Sequence, residues 1–251
     1  MGLYIETRIR ADLDELWART QDPAQHRRWD LRVREIQYLP RTHGRPRRFR
    51  YAARVLPFLT VSGTGVAASE KDGPDGSRTS ALRFSSRHPF SPVAEGSGYW
   101  RYVPDGGQAV RFLTGYDYRP RGGAFGAMAD RLVFRPLTGW ATAWSFDRLR
   151  LWLERGITPE RALANWLAEL VVRALVLTMC CAGLGLEPVV RVFGEFAAAV
   201  AYLCPLLLMV AMSLALLKEP LACTPAARRC LRTPVTQACT PRVLRTLEKY
   251  G

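Results

Sequence analysis

Lysine is nearly missing from this chain of 251 residues: of its 36 basic side chains only Lys71, Lys218 and Lys249 are lysines, and arginine carries the formal net charge of +14. Arginine in place of lysine throughout resembles the usage of a GC-rich bacterial genome more than a polycation selected for its charge. Basicity of this size suits nucleic acid, an anionic membrane surface, or neither. The densest group, Arg45, Arg47, Arg48, Arg50 and Arg54, alternates with Phe49, Tyr51, Ala53 and Val55. That spacing puts guanidinium groups on one strand face and apolar groups on the other. It favours a solvated outer face over a lipid-headgroup contact, and both over a nucleic-acid site, so no nucleic-acid partner is expected.

Cysteine is missing until late in the chain: Cys180, Cys181, Cys204, Cys223, Cys230 and Cys239 all lie beyond residue 165. The N-terminal part therefore has neither disulfide nor thiolate ligand, and a reducing compartment is the simpler setting. The first three thiols sit in apolar stretches, where cysteine acts as a small hydrophobe. The last three are irregularly spaced with no histidine near them, which excludes a zinc pattern. They read as incidental thiols in a flexible tail, with palmitoylation of Cys223 as the alternative. Histidine is scarce too. His26, His43 and His88 fall on a short helix, a loop and a strand end, and read as surface residues. Asp117 reads as half of an outer-face ion pair with Arg111 or Arg101. No catalytic residue, metal site or cofactor is expected. Gly122-Gly123-Ala124-Phe125-Gly126 precedes a helix without the spacing or acidic residue of a dinucleotide site; it reads as a hinge, with Arg119 and Arg121 beside it placed to face lipid headgroups. Met1 to Arg10 lacks an apolar run behind a basic start and reads as a first strand, not a signal peptide. Glu6 breaks the myristoylation pattern at Gly2.

What the sequence does have is uncharged apolar length. Phe196 to Leu217 runs 22 residues without a charge, which as a helix spans about 33 Å, the thickness of a hydrocarbon core. Pro205 predicts a kink inside it. The preceding run, Trp166 to Leu186, is interrupted by Glu169 and Arg173, which at i,i+4 pair on one helix face. Together they predict a membrane hairpin turning at Glu187, Pro188 and Arg191, with two buried helices of a soluble domain as the alternative. The residues after Leu217 are rich in Lys and Arg, so the tail and the N-terminal domain are both expected in the cytoplasm.

Before the hairpin the patterns change from helical to alternating and back. A strand over Leu3–Arg10 leads into a helix capped by Asp12, with Glu15 three residues on, and a second short helix starts at Pro23 after Asp22. Strand patterns follow near Val33–Leu39, Arg47–Leu56, Thr60–Ser69, Thr79–Ser86, Gly96–Val103 and Ala109–Tyr118, with Gly- and Asp-rich turns short enough for an antiparallel sheet. A long helix, Phe125 to Glu154, ends at Gly156, with Pro136 predicted to kink or split it.

The opening Ile9-Arg10-Ala11-Asp12-Leu13-Asp14-Glu15-Leu16-Trp17, with Asp22-Pro23 and Trp29, resembles the START-like superfamily, also called SRPBCC or polyketide cyclase/dehydrase-like. The resemblance covers about the first 155 residues. It implies an α+β helix-grip fold, a curved antiparallel sheet around a long C-terminal helix, with a cavity between them for an apolar or amphipathic ligand. The domain plan is then 1–156 as the helix-grip domain, 157–165 as linker, 166–217 as the hairpin of two transmembrane helices, and 218–251 as a basic cytoplasmic tail.

Strand alternation gathers Phe49, Tyr51, Phe84, Trp100, Tyr102, Phe112, Tyr116 and Tyr118 on one face, and helical spacing sets Val133, Leu137, Trp140 and Trp144 opposite them. This set reads as ordinary core or as ligand-contacting wall, and its load of tyrosine hydroxyls, which need partners when buried, favours a wall. The expectation is a membrane-tethered binding protein for a hydrophobic or lipid-like small molecule. The alternatives are a cyclase- or hydrolase-type enzyme using Tyr51, Tyr102 or Tyr116 to polarise a carbonyl, and a ligand-free scaffold for another membrane protein.

Overall fold

Asp12 and Asp22 set the opening of the fold. In the computed structural model, which describes residues 2–40, 46–56, 59–70, 73, 75–190, 196–234 and 241–247, strand β1 (Leu3–Ile9) ends where the Asp12 carboxylate accepts the backbone N–H groups of Asp14 and Glu15 and starts helix α1 (Leu13–Gln21). Asp22 does the same for Ala24 and starts α2 (Pro23–Trp29), with proline at the first helical position. Glu15 does not close a capping box; its carboxylate takes Arg19 at 2.9 Å instead.

Six further strands follow: β2 (Val33–Tyr38), β3 (Arg47–Leu56), β4 (Leu59–Glu70), β5 (Arg78–Ser85), β6 (Val93–Pro104) and β7 (Val110–Pro120). They form one antiparallel sheet in the order β1-β7-β6-β5-β4-β3-β2, so each strand after the two short helices pairs with the next and β1 closes on β7. The fold is α+β, a seven-stranded curved sheet with long helices, as expected. Arg48, Arg50 and Arg54 of β3 are exposed while Phe49 is buried, in keeping with the alternation; Arg47, on the Phe49 face, is exposed with its guanidinium over the Tyr38 ring at 3.8 Å. Arg45 and His43 lie outside the described residues.

The last helical stretch is not simply kinked at Pro136. Helix α3 (Gly123–Ala129) passes into a π-helical turn, Asp130–Phe134, and then into α4 (Arg135–Arg155). Proline lacks the N–H that would bond the Leu132 carbonyl, and the wider π turn just before it absorbs the mismatch. Gly156 ends α4 with φ of 67°, its N–H on the Leu151 and Trp152 carbonyls, a left-handed cap for which glycine has no steric penalty.

The largest departure from expectation is the tail. The chain divides into two compact units, Met1–Pro159 with Ala226–Gly251, and Glu160–Pro225. The residues expected to be a loose tail therefore return to the N-terminal unit. A 3₁₀ turn, Ala227–Arg229, packs along α4, and Leu231 exchanges two backbone hydrogen bonds of 2.9 Å with Glu6 at the free edge of β1. Helix α7 (Arg242–Leu247) lays Val243 and Leu247 on Ala81 of the outer sheet face, beside Val66, Ala68 and Tyr99. An apolar patch and an open strand edge are each covered by residues more than 100 positions away, and this is why the tail orders. Cys230 is buried with its thiol 3.3 Å from the Ala143 carbonyl, and burial, reinforced by Asp147, pushes it up to about 12. It is a structural thiol, not an incidental one. Cys239 lies outside the described residues.

At the centre of this strap is Asp147, fully buried on α4. Its carboxylate accepts the Ala226 N–H at 2.8 Å, Arg229 Nη1 at 3.0 Å and Arg150 Nε at 2.7 Å. Arg150 also reaches Glu154 at 2.9 Å. A buried carboxylate is tolerated because every acceptor direction is filled by a charged or backbone donor.

The second unit holds most of α5 (Pro159–Val190), together with α6 (Phe196–Leu217). Arg173 pairs with Glu169 at 2.6 Å as the i,i+4 spacing requires. It then caps the far helix, donating to the carbonyls of Ala215 at 2.7 Å and Lys218 at 2.9 Å, while Glu169 accepts the Leu221 N–H at 3.2 Å. The C-terminal end of α6 thus lies beside the first half of α5. Among the described residues one helix, Pro159–Ala182, is long and apolar enough to cross a membrane, with mean hydropathy 1.6, and Pro205–Leu217 is a shorter apolar helix. The expected turn at Glu187 and Pro188 is instead helical: α5 continues through Val190, since proline deprives only one carbonyl of its donor. Arg191 lies outside the described residues.

Candidate functional site

Residues directly opposed in an antiparallel ladder face the same way, so the register builds the concave face one residue at a time. Phe49 stands opposite Gly65, Tyr51 opposite Gly63, Phe84 opposite Gly65 and Gly96, Tyr116 opposite Gly98, and Tyr118 opposite Gly96. Each ring lies over its glycine. A Cβ on Gly63 would meet the Tyr51 hydroxyl at 2.5 Å, one on Gly98 the Tyr116 ring at 2.6 Å, and one on Gly96 the Phe84 ring at 2.7 Å. The four glycines remove the side chains that would fill this half of the concave face and let the rings lie down on the sheet. What remains is a partly open strip of the concave face, a groove in the sense that its aromatic floor, Tyr51, Phe84, Tyr116 and Tyr118, is only half-buried.

The other half of the face is closed. Trp100, Tyr102 and Phe112 are buried, packed with Trp17, Trp29 and Phe146; Phe112 stacks on Phe146 at 4.4 Å and Tyr102 tilts against Trp17 at 5.0 Å. The Tyr102 hydroxyl is saturated by Thr20 at 2.7 Å and Gln21 at 3.0 Å, and burial pushes its pKa up. This end is filled core.

The helix side differs from the expected phase. Trp144 is 1% exposed, but Trp140 is 37% and Leu137 50% exposed, and Val133 is exposed with them. Trp140 and Trp144 still stack at 6.3 Å. The expectation assumed one apolar side facing the sheet and one wet side. From Thr142 to Leu149 there is no wet side, because the strap covers the back of α4, whereas Val133 to Trp140 lie beyond that cover.

Two charged clusters accompany the groove, and neither was foreseen. His26 is buried, not a surface residue: its Nε2 lies 3.2 Å from Asp30, and its ring stacks on Trp29 at 4.9 Å and meets Trp100 edge-on at 4.8 Å. The four-residue spacing of His26 and Asp30 across the end of α2 was the available signal. Asp30, fully buried, also takes Arg32 Nη2 at 2.8 Å and Nε at 3.0 Å. Burial alone would raise the Asp30 pKa; the facing Arg32 charge and the hydrogen bond from His26 outweigh it and hold the carboxyl far below the usual range. Arg32 in turn lies over the Tyr116 ring at 5.3 Å.

The second cluster sits in the π turn. Asp130, buried, accepts the Tyr118 hydroxyl at 2.7 Å and Arg135 Nε at 3.3 Å, and Phe134 meets the Tyr118 ring edge-on at 5.9 Å. Burial and then Asp130 push the Tyr118 pKa up. Tyr51 is held at about 12 by burial, and among the described residues its hydroxyl makes no hydrogen bond. The groove therefore offers aromatic faces and neutral phenol donors, while both carboxylates beside it are spent internally. Asp117 does face outward, but without the expected partner: Arg111 pairs with Glu6 and Arg101 with Asp75, each at 2.7 Å. A shallow recess of about 310 Å³ lies among Arg83, Glu95, Gly96, Ser97, Asp117, Tyr118, Arg119 and Leu244, most of them outward-facing.

Fold and site together define a class: an α+β cup whose concave face is half packed and half open, in a chain that also carries an apolar helix of membrane-crossing length. No protein-family model matches the chain. It is 45% identical over 163 residues to an uncharacterized membrane protein of Bacillus subtilis (strain 168), YndG, a match covering 65% of this chain and 61% of that relative's length. Among solved structures it is similar to a STAR-related lipid transfer protein of Xanthomonas axonopodis, with TM-score 0.45, 20% identity, and coverage of 60% of this chain and 84% of that one. It is similar as well to the Zhui aromatase/cyclase of Streptomyces sp. R1128, with TM-score 0.42, 15% identity, and coverage of 50% and 71%.

Proposed function

We propose that this chain is a membrane-tethered binding protein of the START-like kind, holding a hydrophobic or lipid-like small molecule on the aromatic floor of the groove. The observation that carries the reading is the pairing of half-buried rings with glycines, Tyr51 over Gly63, Phe84 over Gly96 and Tyr116 over Gly98. A core meant only to be filled has no use for four glycines facing its interior, whereas a ligand surface gains both space and flat apolar area. The apolar helices support a tether, with α5 and α6 as a hairpin of two spans and the N-terminal unit and tail on the cytoplasmic side. The membrane-protein relative is in keeping with this. A tether keeps the groove close to an apolar ligand source and raises its effective concentration.

Filling the groove tests this directly. Gly98→Ala puts a methyl group where the Tyr116 ring now lies, with the nearest backbone atom, the Gly115 carbonyl oxygen, 3.2 Å away, and forces that ring up into the groove. Affinity for an apolar fluorescent dye is expected to fall by about tenfold, the worth of one lost aromatic contact, with little change in unfolding temperature. Unchanged dye binding would count against the groove as the ligand site.

One arrangement favours an enzymatic second reading. Arg32, fixed by Asp30, lies on Tyr116 at the groove wall, so Tyr116 could donate to a ligand carbonyl beside a fixed positive charge. Tyr102 has no such role, its hydroxyl being occupied. Turnover that survives Tyr116→Phe unchanged would remove this reading.

A further inference from the structure

Most of the exposed large apolar side chains of the N-terminal unit lie on two of its segments. The loop between β5 and β6 is tied to the turn before α3, with the Arg121 N–H on the Pro92 carbonyl at 2.8 Å and its guanidinium on the Ser86 carbonyl at 2.5 Å. This brings together Phe90, 71% exposed, and Phe125, 75% exposed. Behind Phe125 the exposed series continues through Met128, Leu132, Val133 and Leu137 along α3, the π turn and the start of α4. The surface is a loop tip beside a helix flank. It borders the open end of the groove, because Phe134 follows Val133 and packs on Tyr118.

Arginine outnumbers carboxylate at its rim. Arg87, Arg119 and Arg131 are exposed around it. Of the nearby carboxylates Glu95 takes Arg119 at 3.0 Å, Asp130 is buried on Tyr118 and Arg135, and Asp117 is exposed on the outer face. Among the described residues Arg87 and Arg131 have no carboxylate partner.

We propose that this end of the domain, Phe90 with the Phe125–Leu137 flank, docks reversibly into the surface of an anionic bilayer, as a membrane contact separate from the apolar helices. Projecting aromatic and aliphatic side chains ringed by arginine match a headgroup–acyl boundary, where apolar tips enter and guanidinium groups meet phosphates. The inference rests on the tether reading only for the nearness of the bilayer, and docking would set the open end of the groove against the lipid that supplies its ligand.

The test uses the full chain in nanodiscs of phosphatidylcholine with or without phosphatidylglycerol, its reactive cysteines replaced by serine. A nitroxide is placed by Phe125→Cys, by Leu207→Cys on α6, or by Gly107→Cys in the turn between β6 and β7 at the opposite end of the sheet. Collision with oxygen relative to a water-soluble nickel chelate is expected to be about tenfold higher at 125 than at 107 in anionic discs. That ratio should fall about fivefold for each of Arg87→Gln and Arg131→Gln. A label at 125 that matches 107 while 207 reports lipid overturns the docking and leaves the tether standing. A label at 207 in water with 125 in lipid does the reverse. Low accessibility to both reagents at 125, the result of a protein contact between copies, or indifference to phosphatidylglycerol and to both arginine changes, also overturns the proposal.

Discussion

Asp147→Ala is expected to destabilise the N-terminal unit by about 3–5 kcal/mol, the cost of breaking a buried ionic network by removing one partner. The carboxylate is the sole acceptor shared by the Ala226 N–H, Arg229 and Arg150. Without it a backbone donor and two guanidinium groups lose this shared counter-group, although Arg150 keeps Glu154. Asp147→Asn should lose less, since an amide oxygen still accepts from Ala226. A chain ended at Pro159 should behave like the alanine variant or worse, because it also uncovers the edge of β1 at Glu6 and the apolar patch at Ala81. This reverses the sequence-based expectation of an independent domain over 1–156. Denaturant unfolding followed by tryptophan emission measures it; a loss under about 1 kcal/mol for Asp147→Ala would mean that the strap is not holding α4.

Removing Asp30 should cost as much and should change the acid limb of stability. Asp30 is fully buried between His26 and Arg32, and its pKa is depressed in the fold. A carboxyl whose folded value lies below its unfolded value of about 3.9 stabilises the fold fully above that pH and loses the contribution as pH falls below it. Wild-type stability should therefore drop steeply below about pH 4, and Asp30→Asn should flatten that limb while lowering the plateau above it. Asp30→Ala should lower the plateau by about 3–5 kcal/mol, leaving Arg32 buried without its counter-charge. Parallel acid limbs for wild type and Asp30→Asn would contradict the assignment.

The strands were legible because each announces itself locally. Phe49 and Tyr51 alternate with Arg48 and Arg50, and the Gly- and Asp-rich turns are short enough to force neighbouring pairing. The capped helices at Asp12 and Asp22 were legible for the same reason. What could not be read was whatever depends on distant cover. Trp140 and Trp144 are one turn apart and look equivalent on a helix wheel, yet one is exposed and the other sealed, because residues 226–231 return to the back of α4. Asp147 was not singled out, because its partner Arg229 comes from 82 positions away. The groove was half legible: alternation found its rings, but not that Gly63, Gly96 and Gly98 lie beneath them, because which residue stands opposite which depends on strand register. His26 was missed because its environment, Trp29 and Trp100, is assembled from two elements.

The central claim is that the aromatic floor touches an apolar small molecule inside the cell. It is tested most directly by replacing Phe84 with a photo-crosslinking phenylalanine analogue in the full chain, irradiating living cells, and weighing the purified protein. The account predicts a discrete added mass of an apolar molecule at position 84 and none from the same analogue at the outward-facing Arg50. Crosslinks at 84 only to the protein itself or to water, with no small-molecule adduct, would contradict it.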